Sequence, residues 1–439
     1  MKKHATIKNI TQVTENNLCT GCGTCISLCS SNAISLSSDE DKGIYLPKVD
    51  NSKCIECGIC LNVCPGHEVD FKQLNQEIFG KQSSDPIIGN YIQCYIGYST
   101  NQTIRYNCTS GGLVTQILIY ALENKLIDGA LLTRMKKDNP LEPEPFIART
   151  KDEIYDARGS KYCPVPANLA LNGIMDSPEG ERFAVVGLPC HVQGIRKAEL
   201  LNKKLRDRIV LHLGLFCGAP MTFEGTAFIL DKYEVELKNV SRLDYRSEGW
   251  PGFMKIQSEM ENKKLIPREE YGFFHSFGFF IPSRCILCCD QLNELADISL
   301  GDAWLPEFKD AIGTSAIVCR NRLGEEFLQR TMDDGKIILR DIEARRISFM
   351  ETKKVSYSFK SGLASLKGCK LPSYNILLPK IGSTPRYLLL YTCATLPLLY
   401  LNTIFSSRRC FKRFIEPLGA LEHAALKSGK RLVSMIRFH

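Results

Sequence analysis

Two short stretches carry the same cysteine spacing. LCTGCGTCISLCS holds Cys19, Cys22, Cys25 and Cys29. KCIECGICLNVCPG holds Cys54, Cys57, Cys60 and Cys64, with Pro65 next. Each reads Cys-x2-Cys-x2-Cys-x3-Cys. Three thiols at even steps can wrap one iron–sulfur cubane on a turn, while the fourth is carried off by the short helix that follows and reaches the other cluster. Zinc motifs use two Cys-x-x-Cys pairs or Cys/His mixtures, so this spacing argues against zinc. The expected partition is Cys19, Cys22, Cys25 and Cys64 around one 4Fe–4S cluster, and Cys54, Cys57, Cys60 and Cys29 around the other. Gly21, Gly23 and Gly58 would let backbone amides approach the inorganic sulfurs. Ser30 stands where a proline usually follows the first motif's last cysteine, and only a small local change is expected from it.

This interleaving is the bacterial two-cluster ferredoxin pattern. The segment between the motifs reads as strand, acidic turn, strand. The expected first unit is therefore an α+β ferredoxin-like N-terminal module over residues 1–78, which by itself would be an electron carrier. Most of the 439 residues lie beyond it, so the carrier feeds something. The chain has 20 cysteines, which fits either disulfides or thiolates kept in a reducing compartment. The start MKKHATIKNITQVTENN has no apolar run, so the expectation is a cytoplasmic protein whose thiols are ligands or core residues. The net charge is +8, but eight Lys/Arg against two Glu fall from Ser406 onward. The near-neutral body argues against nucleic-acid binding.

After a polar linker, about residues 79–90, short apolar runs alternate with amphipathic stretches, which suggests an α/β domain. No Gly-x-Gly-x-x-Gly follows a strand, and no Walker A loop is present. In NCTSGGLVTQILIYALENK, Ser110, Gly111 and Gly112 precede an apolar-periodic helix. Their bare amides could meet an anion such as a cofactor phosphate, or the turn could be a plain helix cap. ARGSKYCPVP places Ser160, Lys161 and Tyr162 beside Gly159, either to hold phosphate and flank a ring or as a surface loop. ERFAVVGLPCHVQGIRK reads as a strand from Phe183 to Val186, a tight turn, and a helix starting near Cys190. DRIVLHLGLFCGAP reads as a strand from Ile209 to Phe216 ending at Cys217. In an open α/β sheet these carboxyl ends face the ligand crevice, and a helix N-terminus favours a thiolate. CILCCD, in a loop before the strand-like ADISLGDAW, adds Cys285 and Cys288. Together the four thiols make either a third 4Fe–4S site or a set of separate buried cysteines.

The order of these stretches carries a resemblance. A two-cluster ferredoxin module, SGG before a helix, GSKY, GLPC, FCGAP, GW near Trp250, CILC and ADISLGDAW together resemble the coenzyme F420 hydrogenase/dehydrogenase beta-subunit family, over about residues 12 to 345. The resemblance implies an α/β flavoprotein-type domain, with parts at 88–175 and 176–350. It also implies an oxidoreductase that binds FAD and passes electrons between ferredoxin-type carriers and an organic acceptor. It makes Cys190, Cys217, Cys285 and Cys288 ligands of a third, flavin-proximal 4Fe–4S cluster. Ser110, Gly111, Gly112, Ser160, Lys161 and Tyr162 become flavin-site candidates. Asp302 in GDAW matches a family position without an assigned role. Cys163 and Cys289 match none and are read as core or incidental.

The main functional expectation is an iron–sulfur flavoprotein oxidoreductase. It would take electrons from ferredoxin or another low-potential donor and deliver them through a flavin to a small organic acceptor or deazaflavin coenzyme. The alternative is a non-catalytic electron-transfer subunit of a larger redox complex. Residues 376–439 are expected to form a helical C-terminal tail. In it, Tyr387 to Ser407 lacks charge but is broken by Pro397 and flanked by basic residues. That pattern suits peripheral contact at the inner face of a membrane through the basic tail better than a span.

Overall fold

A computed structural model describes residues 9–379 apart from 259–262, 277–278 and 367. The apolar stretch and basic tail of the 376–439 segment lie outside the described residues from 380 onward. Among the described residues no helix is long and apolar enough to cross a membrane.

The segment between the two cysteine motifs forms the expected hairpin. β1 (Ile34–Asp39) pairs antiparallel with β2 (Ile44–Val49), Ile34 opposite Val49. β3 (Glu68–Asp70) follows the second motif. The body then contributes β4 (Gln93–Ser99), β5 (Gly129–Met135), β6 (Pro143–Ala148), β7 (Phe183–Gly187) and β8 (Ile209–Leu215). β9 (Val240–Ser247), β10 (Phe253–Ser258) and β11 (Lys264–Pro267) make a separate antiparallel sheet. β12 (Ile298–Asp302), β13 (Ser315–Cys319), β14 (Ile337–Asp341) and β15 (Ser373–Asn375) complete the described strands.

Eight strands form one mixed sheet in the order β14-β4-β13-β12-β8-β7-β5-β6. Its centre is parallel: β12 with β8, β8 with β7, β7 with β5. The flanking pairs are antiparallel. Parallel strands covered on both faces read as continuous apolar runs, which is why FAVV and IVLHLGL lack alternation. Ala184, Leu211 and Leu213 are buried on one face with Leu113, Ile117 and Phe327 from two covering helices. Phe183, Val185 and Leu131 are buried on the other, with Leu171, Ile195 and Leu205. The strands end one residue from the expected positions, at Gly187 and Leu215, and the helix that carries Cys190 runs Pro189–Leu201 with proline in its first turn. Proline suits that place because its missing N–H has no partner there anyway.

The ferredoxin-like module is not a bead on a string. Val63 is fully buried in the same apolar cluster as Phe183 and Ile195, with Leu28 and Ile59 packed against it. β3 pairs parallel with β15, Glu68 opposite Ser373. The 79–90 stretch, expected as a polar linker, ends buried: Ile88 is 1% and Asn90 0% exposed. Its polarity has a different cause. Asn90 donates to Asn75 Oδ1 at 2.8 Å, Asn75 donates to Glu294 Oε1 at 2.9 Å, and Glu294 pairs with Lys354. Polar residues are used here to satisfy one another in a seam between three parts of the chain.

Breaking a buried pair leaves an uncompensated charge and costs about 3–5 kcal/mol. Glu294→Ala should lower the stability of the full chain by that order in chemical denaturation, with Lys354→Ala similar and the double variant no worse than either alone. Burial raises the Glu294 carboxyl's pKa, but Lys354 outweighs it and holds the group below its ordinary 4.5. Its contribution is thus present above pH 4.5 and lost as pH falls through the folded value. An Ala variant whose deficit stays constant on acidification would contradict this.

Candidate functional site: two thiol-lined chambers and a basic cleft

Each ferredoxin motif folds in the same way. Gly23 and Gly58, at φ 88° and 73°, precede one-turn helices Thr24–Ser27 and Ile59–Asn62, which carry the third cysteine and end just before the fourth. The positive φ is what makes glycine necessary. A Cβ on Gly23 would also stand 3.1 Å from Leu169 N in the body. Two backbone amides point at cysteine thiols: Gly21 N at Cys19 Sγ, 3.4 Å, and Ala33 N at Cys29 Sγ, 3.3 Å.

Cys19, Cys22, Cys25 and Cys64 line a single small chamber, walled by Ile10, Ile26, Leu36, Tyr45 and Pro47. This is the interleaved set expected for the first cluster. Burial and the neighbouring Cys22 push the Cys64 thiol up to about 11. Of the second set, Cys60 is buried, Cys29 and Cys54 are half-buried, and Cys57 is exposed beside Ile55, which is 66% exposed. The second set thus reaches the surface at Cys57, while all four thiols of the first set are buried.

A second cavity is lined by Cys190, Cys217, Cys285 and Cys288 together. Cys190 comes from the first turn of the helix after β7, Cys217 from the end of β8, and the other two from a helical turn at Ser283–Ile286 and the residues after it. Burial and the charges of Cys22, Cys217, Cys285 and Cys288 push the Cys190 thiol well above the ordinary range. Four such thiols are held as thiolates when a cationic centre sits among them. Among the described residues no group of three or more His, Cys, Asp or Glu is placed to hold a single metal ion. Thiols spread around a cavity suit a cubane better than one zinc ion. The orphaned Thr20 Oγ1, buried with no partner, lies on the wall of both cavities and is free to donate to an inorganic sulfide. The residues present therefore fit 4Fe–4S groups.

The two chambers adjoin. Cys19, Thr20 and Gly21 line both. Cys163, read from sequence as core or incidental, is buried and lines the second chamber. Cys289 is fully buried in an apolar cluster with Val69, Phe71 and Leu295.

Two residues before Cys163, Lys161 lines a third space, a cleft of about 270 Å³. Its walls carry Arg134, Lys136, Lys137, Arg158, Lys161, Arg242 and Arg246 against only Asp156 and Asp244. Of the six flavin candidates, Ser160 and Lys161 line this cleft. The Lys161 ammonium is turned onto the carbonyls of Arg158 and Gly159 at 3.0 and 3.1 Å, and burial lowers its pKa to about 8. Tyr162 packs edge-on to Tyr245 at 6.2 Å. Gly111 is wedged against the backbone of Gly97 and Ser315, and Ser110 and Gly112 adopt positive φ. The two loops meet where Thr109 Oγ1 accepts from Ser160 N at 3.0 Å.

Asp302 gains a role. It takes both terminal nitrogens of Arg246, at 2.6 and 2.7 Å, and accepts from Trp250 Nε1 at 2.7 Å. Trp250 in turn packs on Trp304, centroids 4.9 Å apart. The GW and GDAW stretches thus form one knot that fixes a cation at the cleft. Arg246, Arg242 and Arg134 are residues that sequence reasoning missed. Arg134 lies in β5 while Arg242 and Arg246 both lie in β9, and only the meeting of those two strands at the cleft collects them.

Residues 94–172 match the family model for the N-terminal part of the coenzyme F420 hydrogenase/dehydrogenase beta subunit, and residues 180–345 match the model for its C-terminal part. The chain belongs to this family. Residues 18–67 match a 4Fe-4S dicluster domain. Among relatives, the coenzyme F420 hydrogenase subunit beta of Methanosarcina barkeri is 28% identical over 59% of this chain and 85% of its own length. An uncharacterised protein of Methanocaldococcus jannaschii is 26% identical over 77% of this chain and 92% of its own. An F(420)H(2) dehydrogenase subunit of Methanosarcina mazei is 26% identical over 58% and 72%. Both family models end before residue 346.

Substituting a chamber thiol should be read in iron. Cys285→Ser should remove about a third of the iron per chain, as expected for one of three cubanes, while Cys289→Ser should leave iron unchanged. Unchanged iron in Cys285→Ser would return the CILC cysteines to the core.

Proposed function

We propose that the chain is an electron-transfer subunit of a coenzyme F420-linked oxidoreductase, joining a surface iron–sulfur entry to a cleft for an anionic redox cofactor. The observation that carries this reading is the shared walls. Cys19–Gly21 belong to both thiol chambers, and residues 161–163 run from the cleft to the second chamber. The relatives' names support it, since they are subunits of a hydrogenase and a dehydrogenase.

In this reading Cys19, Cys22, Cys25 and Cys64 hold one 4Fe–4S group, and Cys54, Cys57, Cys60 and Cys29 a second. Cys190, Cys217, Cys285 and Cys288 hold a third. When bound, such clusters supply single-electron transfer, and a flavin such as FAD or a deazaflavin supplies the change to two electrons. The apolar walls around the first chamber keep water from the thiols. Exposed Cys57 and Ile55 leave the second motif open to a partner such as a ferredoxin or a neighbouring redox subunit. Lys137 offers charge to a phosphate, while Arg242 and Arg246 are held at the cleft by Asp244 and Asp302. This donor set fits a phosphate-bearing cofactor and does not select flavin over deazaflavin.

A second reading, a self-contained flavoenzyme acting on a small organic acceptor, is favoured by one observation. The carrier module is packed into the core of the body rather than tethered to it.

The test uses the anaerobically purified full chain. Reduced coenzyme F420 should bleach its visible cluster absorbance. Lys137→Glu with Arg242→Glu should weaken that response at least about tenfold, because two charges facing an anion are reversed, and the loss should shrink as salt rises. No bleaching at any coenzyme concentration would reject the F420 link. Steady turnover of a small acceptor from reduced ferredoxin, with no partner added, would favour the second reading.

A further inference from the structure

The two interior chambers differ in charge. The first has no cation in its mainly apolar wall, and the nearest one, Lys197, is held outside it by the carbonyls of Cys64, at 2.9 Å, and Glu68. The second is lined by two, Lys353 and Arg284. Lys353 is 6% exposed, on a helix (Thr352–Leu366) that lies beyond the matched family region. Its neighbour Lys354 faces away and pairs with Glu294. Glu351, the nearest acid in sequence, is occupied elsewhere: it accepts from the backbone of Gln291 and Leu292, each at 3.0 Å, and of Lys354 at 2.9 Å. No ion pair or hydrogen bond of the Lys353 ammonium to another described residue is formed. Burial works against its charge, and Cys288, Cys217 and Cys285 more than restore it. Arg284 is fixed from both sides, donating to Leu18 O at 3.1 Å and Tyr374 Oη at 2.6 Å.

We propose that Lys353, presented by this chain's own C-terminal helix, is a positioning charge that raises the reduction potential of the Cys190–Cys217–Cys285–Cys288 site above that of the neighbouring Cys19–Cys22–Cys25–Cys64 site. The inference rests on the reading of both chambers as 4Fe–4S sites. A cubane with four thiolates is anionic and gains one further negative charge on accepting one electron, with no bond made or broken. A fixed cation in a dry chamber stabilises the more negative state. The electron comes from the ferredoxin-type site across the Cys19–Gly21 wall, so the step runs inward, toward the cleft. Arg284 is also within electrostatic reach of Cys19, so Lys353 carries more of the difference between the two sites.

The experiment is a redox titration of the anaerobic full chain followed by electron paramagnetic resonance, with iron counted in every sample. Lys353→Met and Lys353→Gln remove the charge while keeping most of the stem, and Lys353→Arg restores it. Wild type should hold about twelve irons; about eight would mean that the third site does not exist, which refutes the underlying reading rather than the tuning. With iron intact, the neutral variants should shift one of the three reduction waves negative by about tenfold in its one-electron equilibrium, about 59 mV, and Arg should reverse most of that. Loss of the third site's iron in both neutral variants but not in Arg would also support a charge role. An unmoved wave, or equal iron loss in all three variants, would overturn it.

Discussion

Three residues of backbone, Cys19 to Gly21, separate two thiol-lined chambers, and most of the architecture follows from keeping that wall in place. The wall belongs to the N-terminal module, whereas the second chamber belongs to the α/β body. The module therefore has to be packed rigidly against the body. Val63 in the body's apolar cluster, Asn168 donating to Thr24 Oγ1 at 2.7 Å, Arg284 reaching Leu18 O, and β3 pairing with β15 all serve that end. Electron transfer between redox centres needs short and fixed separations, and a flexible tether would supply neither. The polar seam through Asn75, Asn90, Glu294 and Lys354 is the counterpart of this packing: each of these buried side chains meets another of the set.

The body has its own reason for placing thiols where it does. β7 and β8 are adjacent and parallel, so their carboxyl ends open on the same side. The helix after β7 brings Cys190 there in its first turn, and the chain leaving β8 brings Cys217. The same edge of the sheet meets the loops with Ser160 and Lys161, which turn toward the basic cleft. A sheet edge, a helix start and two loops thus put a chamber lined by four thiols beside a basic cleft. The Asp302–Arg246–Trp250 knot holds the far side of that cleft. A buried carboxylate with two arginine contacts and an indole donor keeps its charge because those groups replace the water it has lost.

Much of this was legible in the residues because it is local. The three-step cysteine spacing depends on a single turn, and the Gly-Leu-Pro-Cys stretch on a strand end and the helix that follows. Both form nearly where the sequence places them. The non-local parts were not legible. The polar 79–90 stretch looked like a linker because polar composition cannot distinguish solvent from a buried partner. The surroundings of Lys161 and Tyr162 were hidden too: Lys161 lines the basic cleft with its ammonium turned onto backbone carbonyls, and Tyr162 sits among Tyr245 and Tyr271. Arg134, Arg242 and Lys353 carry no motif at all. Their importance comes from which strands and helices meet, and one sequence does not display that.

The arrangement stands or falls on three redox centres close enough to feel one another. Electron paramagnetic resonance of the fully reduced, anaerobically purified chain tests this most directly. Three adjacent paramagnetic sites should give a broadened, magnetically interacting spectrum integrating to about three spins per chain, simplifying when Cys285→Ser removes the innermost. A spectrum of about two spins that is unchanged in Cys285→Ser would contradict the chain of centres and leave only the ferredoxin-like module as a carrier.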